Sequence, residues 1–147
     1  MEAKNIGIQV VKPKEKCKDA HCPFHGSLQC RGRIFTGTII SVKMQKTANV
    51  EWERKYFLRK YERYEKRRSR VKAHNPTCIN AKEGDIVKIV ECRPLSKTKN
   101  FVIVGVLGKE KGFKERMEAE EESKVKKEVK GDESEEQTNA SEKQVTR

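Results

Sequence analysis

The chain has 147 residues, long enough for one domain with a modest core, and a formal net charge of +12; its 38% charged and 34% hydrophobic side chains leave less apolar material than usual. Residues 114–147 carry 8 basic and 11 acidic side chains, which leaves 26 basic and 11 acidic, a balance of +15, on residues 1–113. An excess of that size implies a polyanionic partner, nucleic acid or an anionic membrane. The longest apolar run, 101–107, falls far short of the roughly 20 residues a spanning helix needs. The polar N-terminus has no apolar secretory core, so a cytoplasmic protein with reduced cysteines is expected.

Residues 1–30 read as an N-terminal extension. Ile6, Ile8, Val10 and Val11 form a short apolar patch ended by Pro13, suited to docking either on the chain's own barrel or on a nucleic-acid partner. Next, three cysteines and two histidines fall between Cys17 and Cys30. Cys17, Cys22, His25 and Cys30 are candidate ligands for a structural zinc, because thiolates and an imidazole suit that ion. Their spacing is irregular and holds no Cys-x-x-Cys knuckle, so a loop whose thiols merely pack or stay free is the competing reading. Five cysteines in all, at 17, 22, 30, 78 and 92, give no disulfide framework.

Residues 33–43 alternate as a strand: Ile34, Thr36, Thr38, Ile40 and Val42 on one side, Phe35, Gly37, Ile39 and Ser41 on the other. Gly37 predicts a bulge or sharp coil of the kind small barrels need in order to close. Residues 43–47 make a hairpin turn. Ala48, Val50 and Trp52 then alternate with Asn49, Glu51 and Glu53 in a second strand, a pattern that favours burial of Trp52 over stacking on a base.

Residues 54–72 hold ten Lys or Arg and two Glu, with Tyr56, Phe57, Tyr61 and Tyr64 among them. This basic insertion is the principal candidate for nucleic-acid contact. Phe57, Tyr61 and Tyr64 recur at helical spacing, so a short helix would put them on one face, with Arg54, Lys55, Arg59, Lys60 and Arg63 around them. Anchoring the insertion to the barrel is the favoured role for these rings, and stacking on exposed bases the other. Arg68, Arg70, Lys72 and His74 alternate with Ser69, Val71 and Ala73, which places a cationic row on one face of a third strand. His74 has no evident nucleophile or carboxylate partner, so phosphate or ribose contact, or a local structural bond, replaces any catalytic role. Cys78 reads as a packing thiol in a polar loop.

Gly84-Asp85 opens a fourth strand, 86–92, which Pro94 is expected to end. The following segment, Arg93-Pro94-Leu95-Ser96-Lys97-Thr98-Lys99, mixes cations and hydroxyls suited to phosphate and ribose oxygens. Residues 101–106 form a fifth strand. From about residue 111 the composition is that of a charged, disordered tail, with opposite charges supporting a helix near 115–130. Five strands with an insertion after the second fit an all-β, OB-type Greek-key barrel, although strand count alone also allows an SH3-like barrel. The division expected is 1–30 extension, 31–110 barrel and 111–147 tail. No clustered carboxylates suit metal-assisted hydrolysis, which argues against an enzyme.

The run from Gly84 to Thr98, with Glu91-Cys92-Arg93-Pro94-Leu95-Ser96-Lys97-Thr98 at its centre, resembles the signature of the universal small-subunit ribosomal protein seventeen family. The likeness extends to residues 37–47, to Lys66-Arg67-Arg68 and to His74. The Cys22-Pro23-Phe24-His25-Gly26 element followed by Arg31-Gly32-Arg33 is similar to the archaeal form, related to the eukaryotic small-subunit protein eleven. The resemblance implies the OB-type fold, small-subunit ribosomal RNA and neighbouring small-subunit proteins as partners, and no required cofactor. It implies RNA contact at Arg31, Lys43, Lys46, Thr47, Arg68, His74, Arg93, Ser96, Lys97 and Lys99. Arg33, Arg54, Lys55, Arg59, Lys60, Arg63, Lys66, Arg67, Arg70 and Lys72 join them on their charge and position. The alternative is a free OB-type single-stranded RNA-binding or translation factor.

Overall fold

A computed structural model describes residues 3–13 and 15–123. Five strands carry the fold: β1 (Cys30–Met44), β2 (Thr47–Leu58), β3 (Arg63–His74), β4 (Asp85–Ser96) and β5 (Lys99–Lys109). They close in the order β1-β2-β3-β5-β4, with β4 returning to β1. The β3·β5 pair is parallel, while the β1·β2, β2·β3, β4·β5 and β1·β4 pairs are antiparallel. This is the expected five-stranded OB-type barrel; the outer parts of β2 and β3, beyond Glu51 and before Lys72, pair only with each other and project from the ring.

The 15-residue length of β1 lets it serve two neighbours and close the ring. Its first half pairs with β4 through Thr38↔Ile86 and its second half with β2 from Thr38↔Glu51 onwards, so Thr38 has a partner on each side. Gly37 sits at that switch. A Cβ there would stand 2.6 Å from the Glu51 carbonyl oxygen, so the position serves close approach of β2. The register shifts of β1 lie elsewhere, between Cys30 and Ile34 and after Ile39, so the bulge expected at Gly37 is not formed there.

Inside the barrel, alternating residues of all five strands supply Ile39, Val50, Ala73, Val87, Ile89 and Ile103, each with no exposed surface. Each larger side chain so buried contributes about 1.5–3 kcal/mol. Trp52, expected to be buried, is half-buried against this core and stacks on Phe35, ring centroids 4.7 Å apart at 15°. A second apolar layer covers the outside of β4 and β5, where Ile6, Ile8 and Val10 of the extension pack with Leu28 on Val90, Val102 and Val104. The extension therefore docks on its own barrel. Gly105 makes room for it, since a Cβ would reach within 2.4 Å of Val10 Cγ1.

The basic insertion is not helical. β2 and β3 pair without a register shift from Thr47↔His74 to Leu58↔Arg63, so residues 54–67 form the far end of one hairpin. A single 3-10 turn, Arg59–Tyr61, with Glu62 left-handed at φ 49°, closes the tip. β4 also continues past Pro94 to Ser96, its pairing with β5 shifting between Glu91 and Ser96, which accommodates the missing donor. Residues 113–123 are helical, with the Arg116 amide donating to the Gly112 carbonyl. The remainder of the expected tail, and of its helix, lies outside the described residues.

Candidate nucleic-acid interface

The hairpin arm is built almost entirely of exposed residues: from Glu53 to Arg68 only Leu58 is half-buried. Its register sets like charges directly opposite one another, Arg54↔Arg67 and Lys55↔Lys66. Such pairs are destabilising in an isolated sheet. Aromatic contacts offset them: Phe57 and Tyr64 face each other at 5.2 Å, Arg67 lies 4.1 Å over the Tyr56 ring and Lys60 5.3 Å from that of Tyr61. These rings pack on one another and on the arm's cations rather than on the barrel, which overturns the anchoring role. Tyr61 and Tyr64 remain 63% and 69% exposed, presented beside Lys60 and Arg63.

Nearer the barrel, Arg68 and Arg70 converge on one buried carboxylate. Arg70 Nε donates to Glu51 Oε2 and Arg68 Nε lies 3.8 Å from Glu51 Oε1. Their side chains are thereby fixed on the β2–β3 surface. The alternation that assigned Glu51 to a strand face gave no hint of this pairing, although Arg70 stands opposite it in register. Lys72 is the register partner of Lys99 on parallel β5, which joins the arm's basic row to the β4–β5 turn bearing exposed Ser96 and Lys97. Exposed Arg93 precedes that turn on β4, while exposed Arg31 and Arg33 lie at the start of β1, with the Arg33 amide held by Glu91 Oε2 at 3.1 Å.

Three expected contacts fall at the β1–β2 turn, where Lys43 is exposed and Lys46 approaches Asp19 Oδ2 at 3.7 Å. Thr47 is buried, and its hydroxyl donates to the Gln45 carbonyl. His74 is 3% exposed and bonds through Nε2 to Asp19 Oδ2 at 3.0 Å. It makes the local structural bond and presents no ring to a partner. Burial pushes its imidazole below the ordinary value against the pull of Asp19. Burial alone would raise the Asp19 carboxyl, but the His21 amide, His74 and Lys46 together hold it below the ordinary range.

Under the extension lies the sulfur-rich cluster, with one correction to the expected set. Ligand atoms of Cys17, Cys22, His25 and Cys78 all fall within 4.8 Å of one another. Cys30 is not among them: it opens β1 as the register partner of Cys92, packs in the outer apolar layer, and burial pushes its thiol up to about 11. Cys78, expected only to pack, takes the fourth place because the loop after β3 folds back under the extension.

The sequence of residues 37–105 matches the family model described as Ribosomal protein S17. A relative from Methanopyrus kandleri named small ribosomal subunit protein uS17 is 57% identical over 105 residues, 71% of this chain and 89% of its own length. A protein of the same name from Methanocaldococcus jannaschii is 52% identical over 109 residues, 74% and 93% of the two chains. This chain belongs to the uS17 family. The archaeal resemblance read from Cys22 to Gly26 agrees with these relatives, and a uS17 protein has a structural role in the ribosome. The barrel that carries the S17 signature from Gly84 to Thr98 thus uses it as strand β4 and the turn that leads into β5.

Proposed function

We propose that this protein binds small-subunit ribosomal RNA and holds it in its folded form during assembly and translation, in the cytoplasm, beside neighbouring small-subunit proteins and without catalysis. The observation that carries the reading is the exposed arm whose cross-strand partners repel, Arg54 with Arg67 and Lys55 with Lys66. Phosphates lying between or across these cations would relieve the repulsion that the aromatic contacts and the Arg67–Glu65 pair offset only within the arm, and each phosphate neutralised releases counterions. The rigid barrel fixes Lys72, Lys97 and Lys99 relative to that arm, a pattern suited to the shape and 2′-hydroxyls of folded RNA.

The test is a salt-dependent titration against folded small-subunit ribosomal RNA with an unstructured RNA of equal length as competitor. Steep binding that survives the competitor is expected; equal affinity for both RNAs would instead mark a general single-strand binder. Replacing Arg93 and Lys97 together with Ala should lower the salt slope by about two units while leaving the barrel folded. An unchanged slope would remove these two from the interface.

A further inference from the structure

We propose that Cys17, Cys22, His25 and Cys78 form a structural zinc site that ties the N-terminal extension to the loop between β3 and β4. Three of the six distances between these atoms match the edges of a tetrahedron around one ion, and all six lie within 4.8 Å. Zinc bonded to sulfur at about 2.3 Å and to nitrogen at about 2.0–2.1 Å sets S···S edges of about 3.8 Å and S···N edges of about 3.6 Å. Cys22 Sγ lies 3.6 Å from Cys78 Sγ and 3.7 Å from His25 Nδ1, and Cys17 Sγ lies 3.4 Å from the same nitrogen.

Both loops are shaped to hold these atoms still. On the extension side the Gly26 amide donates to the Cys22 carbonyl at 2.9 Å, and a Cβ at Gly26 would come within 2.4 Å of the Ala20 carbonyl oxygen. Only glycine therefore allows the turn that brings His25 back over Cys22. On the other side Asn75 grips the Ala81 backbone twice, through Nδ2 to the carbonyl at 2.9 Å and Oδ1 from the amide at 3.2 Å. That clamp sets the short loop from which Cys78 points inwards. Cys22 and Cys78 are buried, Cys17 and His25 half-buried, so the ion would close over a dry floor with one side towards solvent. Three thiolates and one imidazole fill the four positions of a structural site and leave none open for chemistry.

Protein purified without chelator should carry about one zinc per chain by elemental mass spectrometry. The Cys30→Ser variant should keep it and Cys78→Ser should lose it. Wild-type protein reloaded with cobalt(II) should show the visible bands of a tetrahedral thiolate-rich site, displaced by an equivalent of zinc, a result that does not depend on how a variant folds. Substoichiometric metal together with an octahedral cobalt spectrum would overturn the proposal. So would a Cys22–Cys78 disulfide in protein purified under reducing conditions, or zinc retained by Cys78→Ser.

Discussion

His74 is the residue at which alternation and position part company. It continues the cationic row of Arg68, Arg70 and Lys72, yet β3 enters the interior at its C-terminal end, where Ala73 and His74 are both buried. The groups facing the ring are Asp19, Lys99 and His21. Because the folded imidazole sits below its ordinary value of 6.5, the unfolded chain binds more protons just below that pH. Stability is then full above it and falls as pH drops towards the folded value; the depressed Asp19 adds a loss in the same direction at more acidic pH. Urea unfolding at pH 5.5 and 7.5 should show lower stability at the acid point, with the difference reduced in His74→Gln. Gly37 is a second single-residue control. Ala there meets the Glu51 carbonyl and Val50 Cγ1, 2.9 Å away, and should cost about 1–3 kcal/mol by denaturant midpoint.

Among the elements, the arm has opposed demands on its charges. Lys55→Glu would set an acid opposite Lys66 and should raise the stability of the free protein by about 0.2–1 kcal/mol while weakening RNA binding, measured by thermal melting and by titration. Unchanged RNA binding would mean that Lys55 does not face the partner. The arm is also where helical and strand readings compete. Phe57 and Tyr64 are seven apart, a separation that fits two turns of helix and equally the two sides of a hairpin closed at Arg59–Tyr61. Apolar periodicity cannot separate these when both faces are solvated and no core selects one of them. The five barrel strands were legible because each has a buried face and an alternation to match. Glu51 with its arginines, Asp19 with His74, and Cys78 with Cys22 were not, since each pair joins residues whose proximity comes from the chain path alone.

At the scale of the molecule, the extension forms the second apolar layer, laid on the β4–β5 face. Gly105→Val should push Val10 outwards and release this layer, so that trypsin cuts faster at Lys4 and Lys12 while the barrel fragment persists; unchanged cleavage would mean the layer adapts. The parallel seam between β3 and β5 has a different bearing, on time. A chain leaving the ribosome N-terminus first exposes β1, β2 and β3 before the last strand exists, and the arm needs only its own two strands to form. The seam must wait for β5. The two strands of the arm are therefore able to pair with each other while the barrel is still open, and the ring shuts last.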